Sequence, residues 1–368
     1  MRDERRGHGP AAGPSPVPGV ARAATGRAVL DASLTARTPI TYDPYLRGRS
    51  IERVEGTATH ARGGPSAWSA VVKRTTGPGL RDARRELEAY RTGVAAPGGA
   101  GLGAPRLLGA VDEPDVVELW LEPLNDAYAG HWPVERFAAA ARSIATWDAS
   151  WVGRAVPDAL DSEDAWAERH AQPERVTEAL AELQTLAARA GPELIERLAD
   201  PGLVRTASLI SSTAARIRRL SSFPASLLHQ DLVRSNLFAL PGDRTAAIDW
   251  EHVGRGPLGV DLAPFLIGSV RRGEASSDHL AALETACLDS YERELGRSHP
   301  AAVLDVRPAY RLAVGLRWHV VLGAVRVSLD PDATRIRGSR PLEARADGLR
   351  HLIAVARYIL DAADLEPV

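Results

Sequence analysis

The chain has 368 residues, more than one hydrophobic core ordinarily fills, so two domains or two lobes are expected. Its 45 basic and 47 acidic residues give a formal net charge of -2, and this balance argues against a nucleic acid or an anionic membrane as partner. The one cysteine, Cys287, excludes an internal disulfide and fits a reducing, cytoplasmic location.

The first segment, residues 1–27, carries charged residues, proline and glycine, and it shows no apolar run of the signal-peptide type. We predict a disordered tail there, because such a composition buries too little apolar surface to fold. Residues 28–122 then alternate short apolar runs with Gly and Pro turns, a pattern that predicts strands. One helix interrupts them, where Leu80, Ala83 and Leu87 recur at helical spacing.

Residues 123–368 change to long helical patterns such as "PVERFAAAARSIATWDASW" and "PERVTEALAELQTLAARA". The apolar stretch "LAVGLRWHVVLGAVRV" in this part is broken by Arg317, His319 and Arg326, so no membrane partner is expected. Three short runs differ from the helices around them: "SLLHQDL", "NLFAL" and "TAAIDW" predict strands and loops. The fold class is therefore α+β, with a small antiparallel sheet lobe holding one helix at 28–122 and a larger helical lobe at 123–368.

The lysine content is unusual, because Lys73 is the single lysine among 45 lysine and arginine residues. Lys73 ends "WSAVVK", a run rich in β-branched residues that predicts a strand. An ammonium is a compact point charge and a guanidinium is a wide planar fork, so the two do not fit the same site. The position of Lys73 therefore points to a site that requires an ammonium group.

Polar residues crowd together in "HQDLVRSN" and "IDW". Asp231 and Asn236 lie five residues apart, and Asp249 follows after the hairpin turn "ALPGDRT". Such a hairpin brings the three side chains to one place. Two carboxylates and an amide oxygen form an oxygen-only site suited to Mg²⁺, which shares its shell with substrate phosphates. That chemistry is typical of phosphoryl transfer.

The order Lys73, Glu86, "HQDLVRSN" and "IDWEHVGRGPLGVDLA" resembles the protein-kinase-like superfamily, and within it the small-molecule kinases of the aminoglycoside phosphotransferase and choline kinase type. The resemblance implies a two-lobe kinase fold with Asp231 as catalytic base and with Asn236 and Asp249 as Mg²⁺ ligands. It also implies that Lys73 pairs the α- and β-phosphates of the nucleotide.

The resemblance extends to the residues around the nucleotide. Glu86 would hold Lys73, since it follows Arg85 in the pattern "RREL". No G-x-G-x-x-G motif occurs between the first strands, and the candidate phosphate-covering turn is "LRGRS", which ends at Ser50. The remaining nucleotide contacts are expected from Val71 over the adenine and from the hinge, through the carbonyl of Glu122 and the N–H of Leu124. ATP is the expected phosphate donor, with GTP also allowed.

Two further polar residues of these motifs, His229 and Asp261, receive supporting roles instead of catalytic ones. His229 is expected to be structural and to hydrogen-bond near Asp249. Asp261 fits an ordinary helix N-cap, and the resemblance also gives it a bracing role near the catalytic loop. Neither residue is assigned to catalysis.

Three functions remain open from the sequence. The first is a Mg·ATP-dependent kinase that phosphorylates a hydroxyl of a small molecule, either an aminoglycoside-like antibiotic or another hydroxylated metabolite. The second is a catalytically weak nucleotide-binding pseudokinase or scaffold. The third is a protein kinase, which is disfavoured because no activation segment ending in Ala-Pro-Glu follows "IDW".

Overall fold

The computed structural model describes residues 15–40, 48–99, 101–128, 132–161, 172–197, 202–329 and 345–368. The strands in these ranges are β1 (Val29–Pro39), β2 (Arg49–His60), β3 (Ser66–Thr76), β4 (Leu102–Gly103), β5 (Leu107–Glu113), β6 (Val116–Leu121), β7 (Ala225–Leu228), β8 (Leu237–Leu240), β9 (Arg244–Ala247) and β10 (Gly254–Pro257).

The α-helices in the same ranges are α1 (Val17–Thr25), α2 (Leu80–Arg91), α3 (Val134–Trp151), α4 (Pro173–Ala187), α5 (Pro192–Arg197), α6 (Gly202–Ser211), α7 (Thr213–Leu220), α8 (Ser269–Arg271), α9 (Leu280–Leu295), α10 (Val303–Gly315), α11 (Trp318–Leu329) and α12 (Arg345–Asp364). A π-helical turn, Pro264–Gly268, leads directly into α8.

The chain divides into two compact units. The first consists of Met1–Leu87 and Arg106–Pro123, and the second of Glu88–Pro105 and Leu124–Val368. The first unit contains an antiparallel sheet and the second is mainly helical, so the predicted α+β class is confirmed.

The first unit is built on a five-stranded sheet in the order β1-β2-β3-β6-β5, with every neighbouring pair antiparallel. Side chains alternate between its faces along β3, as the strand period of two requires. Trp68, Ala70 and Val72 point to one face and are buried in the apolar core of the unit. Val71 and Lys73 therefore point to the opposite face.

A second helix in the first unit corrects the prediction for residues 1–27. Residues 1–14 lie outside the described residues, but α1 is helical and buries Val20 and Ala21 in the same core as Trp68. The local sequence explains this helix, because its apolar residues recur at helical spacing and Gly26 ends it in the left-handed conformation at φ 66°. The surrounding Pro and Gly content hid that signal.

Residues 88–105 were predicted to lie in the first lobe, which spans 28–122, but they group with the second unit. Two backbone contacts explain the assignment. β4 pairs in parallel with β9, with Leu102 opposite Thr245. Gly101 lies so close to α3 that a Cβ in its place would come 2.3 Å from the carbonyl oxygen of Ser143.

Three short ladders interrupt the helices of the second unit. β8 and β9 form the predicted hairpin, with Leu237 opposite Ala247, and β4 extends it to three strands. β7 pairs with β10 in a separate antiparallel ladder. The turn of the hairpin places Asp243 and Gly242 at positive φ, as tight hairpin turns require.

One helical stretch of the second unit, Pro300–Leu329, is long and apolar enough to cross a membrane by length and composition alone. Of its most apolar window, 72% is buried inside the protein, which fits a core helix of the helical unit. The structure breaks this stretch at Leu316 and Arg317, where α10 ends and α11 begins.

Replacing Val20 by alanine tests whether α1 belongs to the folded core. Val20 is 1% exposed, so loss of its methyl groups is expected to lower the free energy of unfolding by about 2 kcal/mol. Chemical denaturation of the full chain measures this change. Val204→Ala on α6 is the matched control, because Val204 is 68% exposed and its truncation removes little packing. Equal midpoints for the two variants would contradict the docking of α1.

Candidate functional site

The first unit holds a buried ion pair between β3 and α2. Lys73 Nζ lies 2.6 Å from Glu86 Oε2, and the two side chains are 6% and 1% exposed. The structure thus brings together the single lysine and the carboxylate that the "RREL" pattern selects. A pair this enclosed depends on both partners, because removal of one leaves a buried charge without compensation.

Two further predicted nucleotide residues lie near this pair in the sheet. Val71 is half-buried on the same face of β3 as Lys73, and Ser50 is exposed on β2 opposite Arg74. The predicted phosphate-covering turn is described only from Gly48 onward. Gly48 adopts φ 79°, and a Cβ there would come 2.4 Å from the carbonyl oxygen of Thr76, so this position accepts only glycine.

The two predicted hinge residues fall in different units. Glu122 follows β6 in the first unit and donates its N–H to the carbonyl of Arg106 at 2.9 Å. Leu124 belongs to the second unit, as the first residue of its segment Leu124–Val368.

The second unit fixes the "HQDLVRSN" loop through its own side chains. Asn236 Nδ2 donates to the backbone carbonyl of Asp231 at 2.9 Å and to its carboxylate oxygen Oδ2 at 3.3 Å. Because the amide nitrogen faces Asp231, the amide oxygen Oδ1 of Asn236 points away from it. That orientation leaves Oδ1 as an oxygen donor that could bind a cation.

Asp249 is tied to the same loop through the residue before it. Ile248 donates its N–H to the carbonyl of Asn236 at 2.9 Å and accepts a hydrogen bond from His229 Nε2 at 3.0 Å. His229 Nδ1 accepts the N–H of Asp231 at 3.3 Å. His229 therefore links the loop to the Ile248–Asp249 peptide, which is the structural role expected for it.

Two residues of this region adopt the left-handed backbone conformation. Gln230 has φ 67° and Asp249 has φ 68°. This conformation costs a residue with a Cβ on the order of 1 kcal/mol, and such costs are concentrated at functional sites. Gln230 precedes the predicted site residue Asp231, and Asp249 is itself a predicted site residue.

Asp261 stabilises the strained peptide at Gln230. Its Oδ2 accepts the N–H of His229 and its Oδ1 accepts the N–H of Gln230, both at 2.8 Å. Burial raises the pKa of Asp261 to about 6, and the two N–H groups and Arg317 oppose that rise. Of its two expected roles, the structure therefore gives Asp261 the bracing one, since it accepts two N–H groups of the "HQDLVRSN" loop.

A buried network behind Asp261 could not be seen in the sequence. Tyr291 on α9 donates its hydroxyl proton to Asp148 Oδ2 on α3 at 2.5 Å and accepts the N–H of Gly259 at 3.1 Å. Burial and the nearby charge of Asp261 raise the pKa of Asp148 well above its ordinary value. The network connects α3, α9 and the chain leading to Asp261, and the sequence separation of its members explains why spacing did not reveal it.

The segment Ser269–Glu274 is hydrogen-bonded to the loop at three further points, one of them from Arg272 Nη1 to Ser235 Oγ at 3.2 Å. The N–H of Arg234 donates to Ser269 Oγ at 2.9 Å, and the N–H of Ser235 donates to Glu274 Oε2 at 3.2 Å. Burial raises the pKa of Glu274, and Arg272 and Ser235 oppose that rise. Glu274 thus connects the loop to the wall of a cavity.

That cavity has a volume of about 730 Å³, within the range of small-molecule pockets. Its walls come from the start of α3, the segment after α8, and one face each of α9 and α12. Four of its largest lining side chains are Trp132, Phe137, Leu283 and His351. Trp132 and Phe137 pack edge to face, with their ring centroids 5.6 Å apart.

Comparison with known proteins links the sequence to one family. Residues 59–296 match the sequence model of the phosphotransferase enzyme family, and this range includes both Lys73 and Asp231. No curated protein matches the sequence.

Three of the solved structures similar to the chain are described as kinases or phosphotransferases. An amicoumacin kinase in complex with AMP-PNP and Ca²⁺ is 13% identical, with 90% of each chain covered and a TM-score of 0.49. A microcompartment-associated aminopropanol kinase is 16% identical, with 93% of this chain and 97% of that chain covered and a TM-score of 0.49. An aminoglycoside phosphotransferase from Alicyclobacillus acidocaldarius is 16% identical, with coverages of 98% and 99% and a TM-score of 0.46.

Proposed function

Because the chain belongs to the phosphotransferase enzyme family, we propose that it is a Mg·ATP-dependent kinase that transfers the γ-phosphate to a hydroxyl group of a small molecule. The observation that carries this proposal is the fixed geometry of the catalytic loop. Asn236 Nδ2 bonds Asp231 twice, and Ile248 holds Asp249 to the same loop. Such preorganisation is what phosphoryl transfer demands of a protein.

In the proposed reaction Asp231 accepts the proton of the acceptor hydroxyl as its oxygen attacks the γ-phosphorus. The bond from that phosphorus to the bridging oxygen breaks, and the nucleoside diphosphate leaves with the electron pair. The hydrogen bond from Asn236 Nδ2 to Asp231 Oδ2 orients the carboxylate for this role. The brace from Asp261 fixes the backbone on the other side.

The residues present fit a magnesium ion. Asn236 Oδ1 and the carboxylate of Asp249 are hard oxygen donors, and the orientation of the Asn236 amide directs its oxygen away from Asp231. Mg²⁺ held by these two residues would neutralise negative charge on the phosphates of the nucleotide. The ammonium of Lys73, held by Glu86, contributes a positive charge for the α- and β-phosphates.

The acceptor is proposed to be a small molecule that enters the cavity of about 730 Å³ in the second unit. Two features support this choice. The cavity wall includes Glu274, whose carboxylate binds the N–H of Ser235 in the catalytic loop. Its size also suits a small molecule better than a polypeptide.

Acceptor-stimulated release of nucleoside diphosphate tests this function. A panel of hydroxylated compounds, including aminoglycosides, amino alcohols, sugars and sugar acids, is incubated with Mg·ATP or Mg·GTP. We expect release above the background rate with at least one acceptor and the appearance of a phosphorylated product by mass spectrometry. Mg²⁺-dependent nucleotide binding without stimulation by any acceptor would favour the pseudokinase instead.

A further inference from the structure

The cavity of about 730 Å³ in the second unit combines an apolar floor with a polar rim. Its largest apolar lining side chains, Trp132, Phe137 and Leu283, are buried, and we call them the floor. Glu135 and His279 also line the cavity but are exposed, and we call them the rim. Small-molecule sites commonly have this form, in which apolar side chains enclose the ligand and a few polar groups orient it.

Two lining residues of the cavity contact the catalytic loop directly. The guanidinium of Arg234 lies over the indole ring of Trp132, 4.1 Å from the ring centroid. The carboxylate of Glu274 accepts the N–H of Ser235 at 3.2 Å. Arg234 and Ser235 follow Asp231 by three and four positions. A ligand in the cavity would therefore pack against side chains that hold the loop containing Asp231.

Negative charge is sparse in the cavity. Of the described residues that line it, two are acidic, Glu135 and Glu274. The carboxylate of Glu274 is already engaged by the N–H of Ser235, and the positive charge of Arg272 acts on it. A polycationic acceptor such as an aminoglycoside needs several carboxylates to replace the water around its ammonium groups. Glu135 alone does not supply them, so the cavity disfavours that class of acceptor.

We propose that the acceptor is an alcohol with an apolar body, which packs against the floor while its hydroxyl faces the catalytic loop. This inference rests on the kinase function proposed above and names its substrate class. Removal of the apolar body from water supplies the binding free energy. A sugar or an aminoglycoside would instead place hydroxyl or ammonium groups against the floor without hydrogen-bond partners, which is costly.

Val134 is the position at which this inference is tested. It lines the cavity, is half-buried, and begins α3, where an aspartate suits the positive end of the helix dipole. Val134→Asp is therefore expected to fold while it places a carboxylate against the apolar body. Val204→Asp is the matched control, because Val204 also lies in the first turn of a helix, α6, but is 68% exposed. Val134→Ile is the conservative variant that keeps the wall apolar.

Binding of a fluorescent alcohol tests the site without requiring turnover. The fluorescence anisotropy of naphthaleneethanol is titrated with the full chain, and Mg·ADP is present to fill the nucleotide site. We expect saturable binding to the parent, to Val134→Ile and to Val204→Asp, and a Kd roughly tenfold higher for Val134→Asp. No saturable binding to the parent, an equal Kd for Val134→Asp, or displacement of the probe by kanamycin or glucose at comparable concentration overturns the inference.

Turnover supplies the second arm. Primary alcohols with aromatic, alicyclic or linear alkyl bodies are compared with glucose and kanamycin as acceptors in the presence of Mg·ATP. We expect the higher kcat/KM from an alcohol of the apolar set. For that alcohol, Val134→Asp is expected to raise KM roughly tenfold with kcat and the KM for ATP little changed, since the substitution removes ground-state binding. Val134→Ile and Val204→Asp are expected to keep the parental KM.

The two proposals fail in different ways. Preferred turnover of glucose or kanamycin, with a KM that Val134→Asp leaves unchanged, overturns the apolar class while upholding the kinase. Absence of stimulation by every acceptor, apolar or polar, counts instead against the kinase function itself.

Discussion

Replacing Asp231 by asparagine is expected to lower kcat by on the order of 10³-fold while Mg·ATP still binds. Asparagine keeps the shape of the side chain and the backbone carbonyl that accepts from Asn236 Nδ2. It removes the basic oxygen that would take the proton of the acceptor hydroxyl. Acceptor-stimulated diphosphate release measures kcat, and fluorescence titration with a labelled nucleotide measures binding.

Asp243→Asn is the matched control for this substitution. Asp243 lies in the β8–β9 turn of the same unit with its side chain 77% exposed, and asparagine tolerates its positive φ. We expect parental turnover from it. If Asp231→Asn also turned over at the parental rate, Asp231 would not be the base.

Replacing Lys73 by arginine is expected to reduce kcat/KM by about two orders of magnitude although the charge is retained. The ammonium contacts Glu86 at 2.6 Å in an enclosed space, and the wider guanidinium displaces either that carboxylate or the nucleotide phosphates. The expected loss appears in the KM for ATP as well as in kcat. Steady-state kinetics over a range of ATP concentrations separates the two effects.

The neighbouring residue on β3 gives the control for this exchange. Arg74→Lys makes the reverse exchange at a side chain that is 54% exposed and pairs with Glu118, so its kinetics should stay within a few-fold of the parent. A fully active Lys73→Arg protein would mean that the single lysine is a compositional accident.

The parts of the site that the sequence predicts are those with short spacing. The hairpin around "ALPGDRT" follows from turn residues between two apolar runs, and the structure has it as β8 and β9. The approach of Lys73 to Glu86, thirteen residues later, was implied by the family resemblance through the "RREL" pattern. Local periodicity adds that Lys73 stands on a strand and Glu86 on a helix.

The parts that spacing does not predict depend on contacts between distant segments. The pairing of Leu102 with Thr245 moves residues 88–105 out of the predicted lobe. The bond from Tyr291 to Asp148 joins residues 143 positions apart. Sequence patterns record which face of an element is apolar, but the partner of that face is set by tertiary packing.

The enclosed ammonium of Lys73 also makes this chain suited to chemical labelling. Amine-acylating reagents modify lysine side chains that are open to solvent, and the one lysine side chain of the protein is 6% exposed in an ion pair. Each molecule whose first unit opens transiently would gain a single side-chain acyl group at one known position, apart from any acylation of the α-amine. Mass spectrometry of the peptide that contains Lys73 would then count opening events at β3, with no engineered probe and no second lysine to obscure the signal.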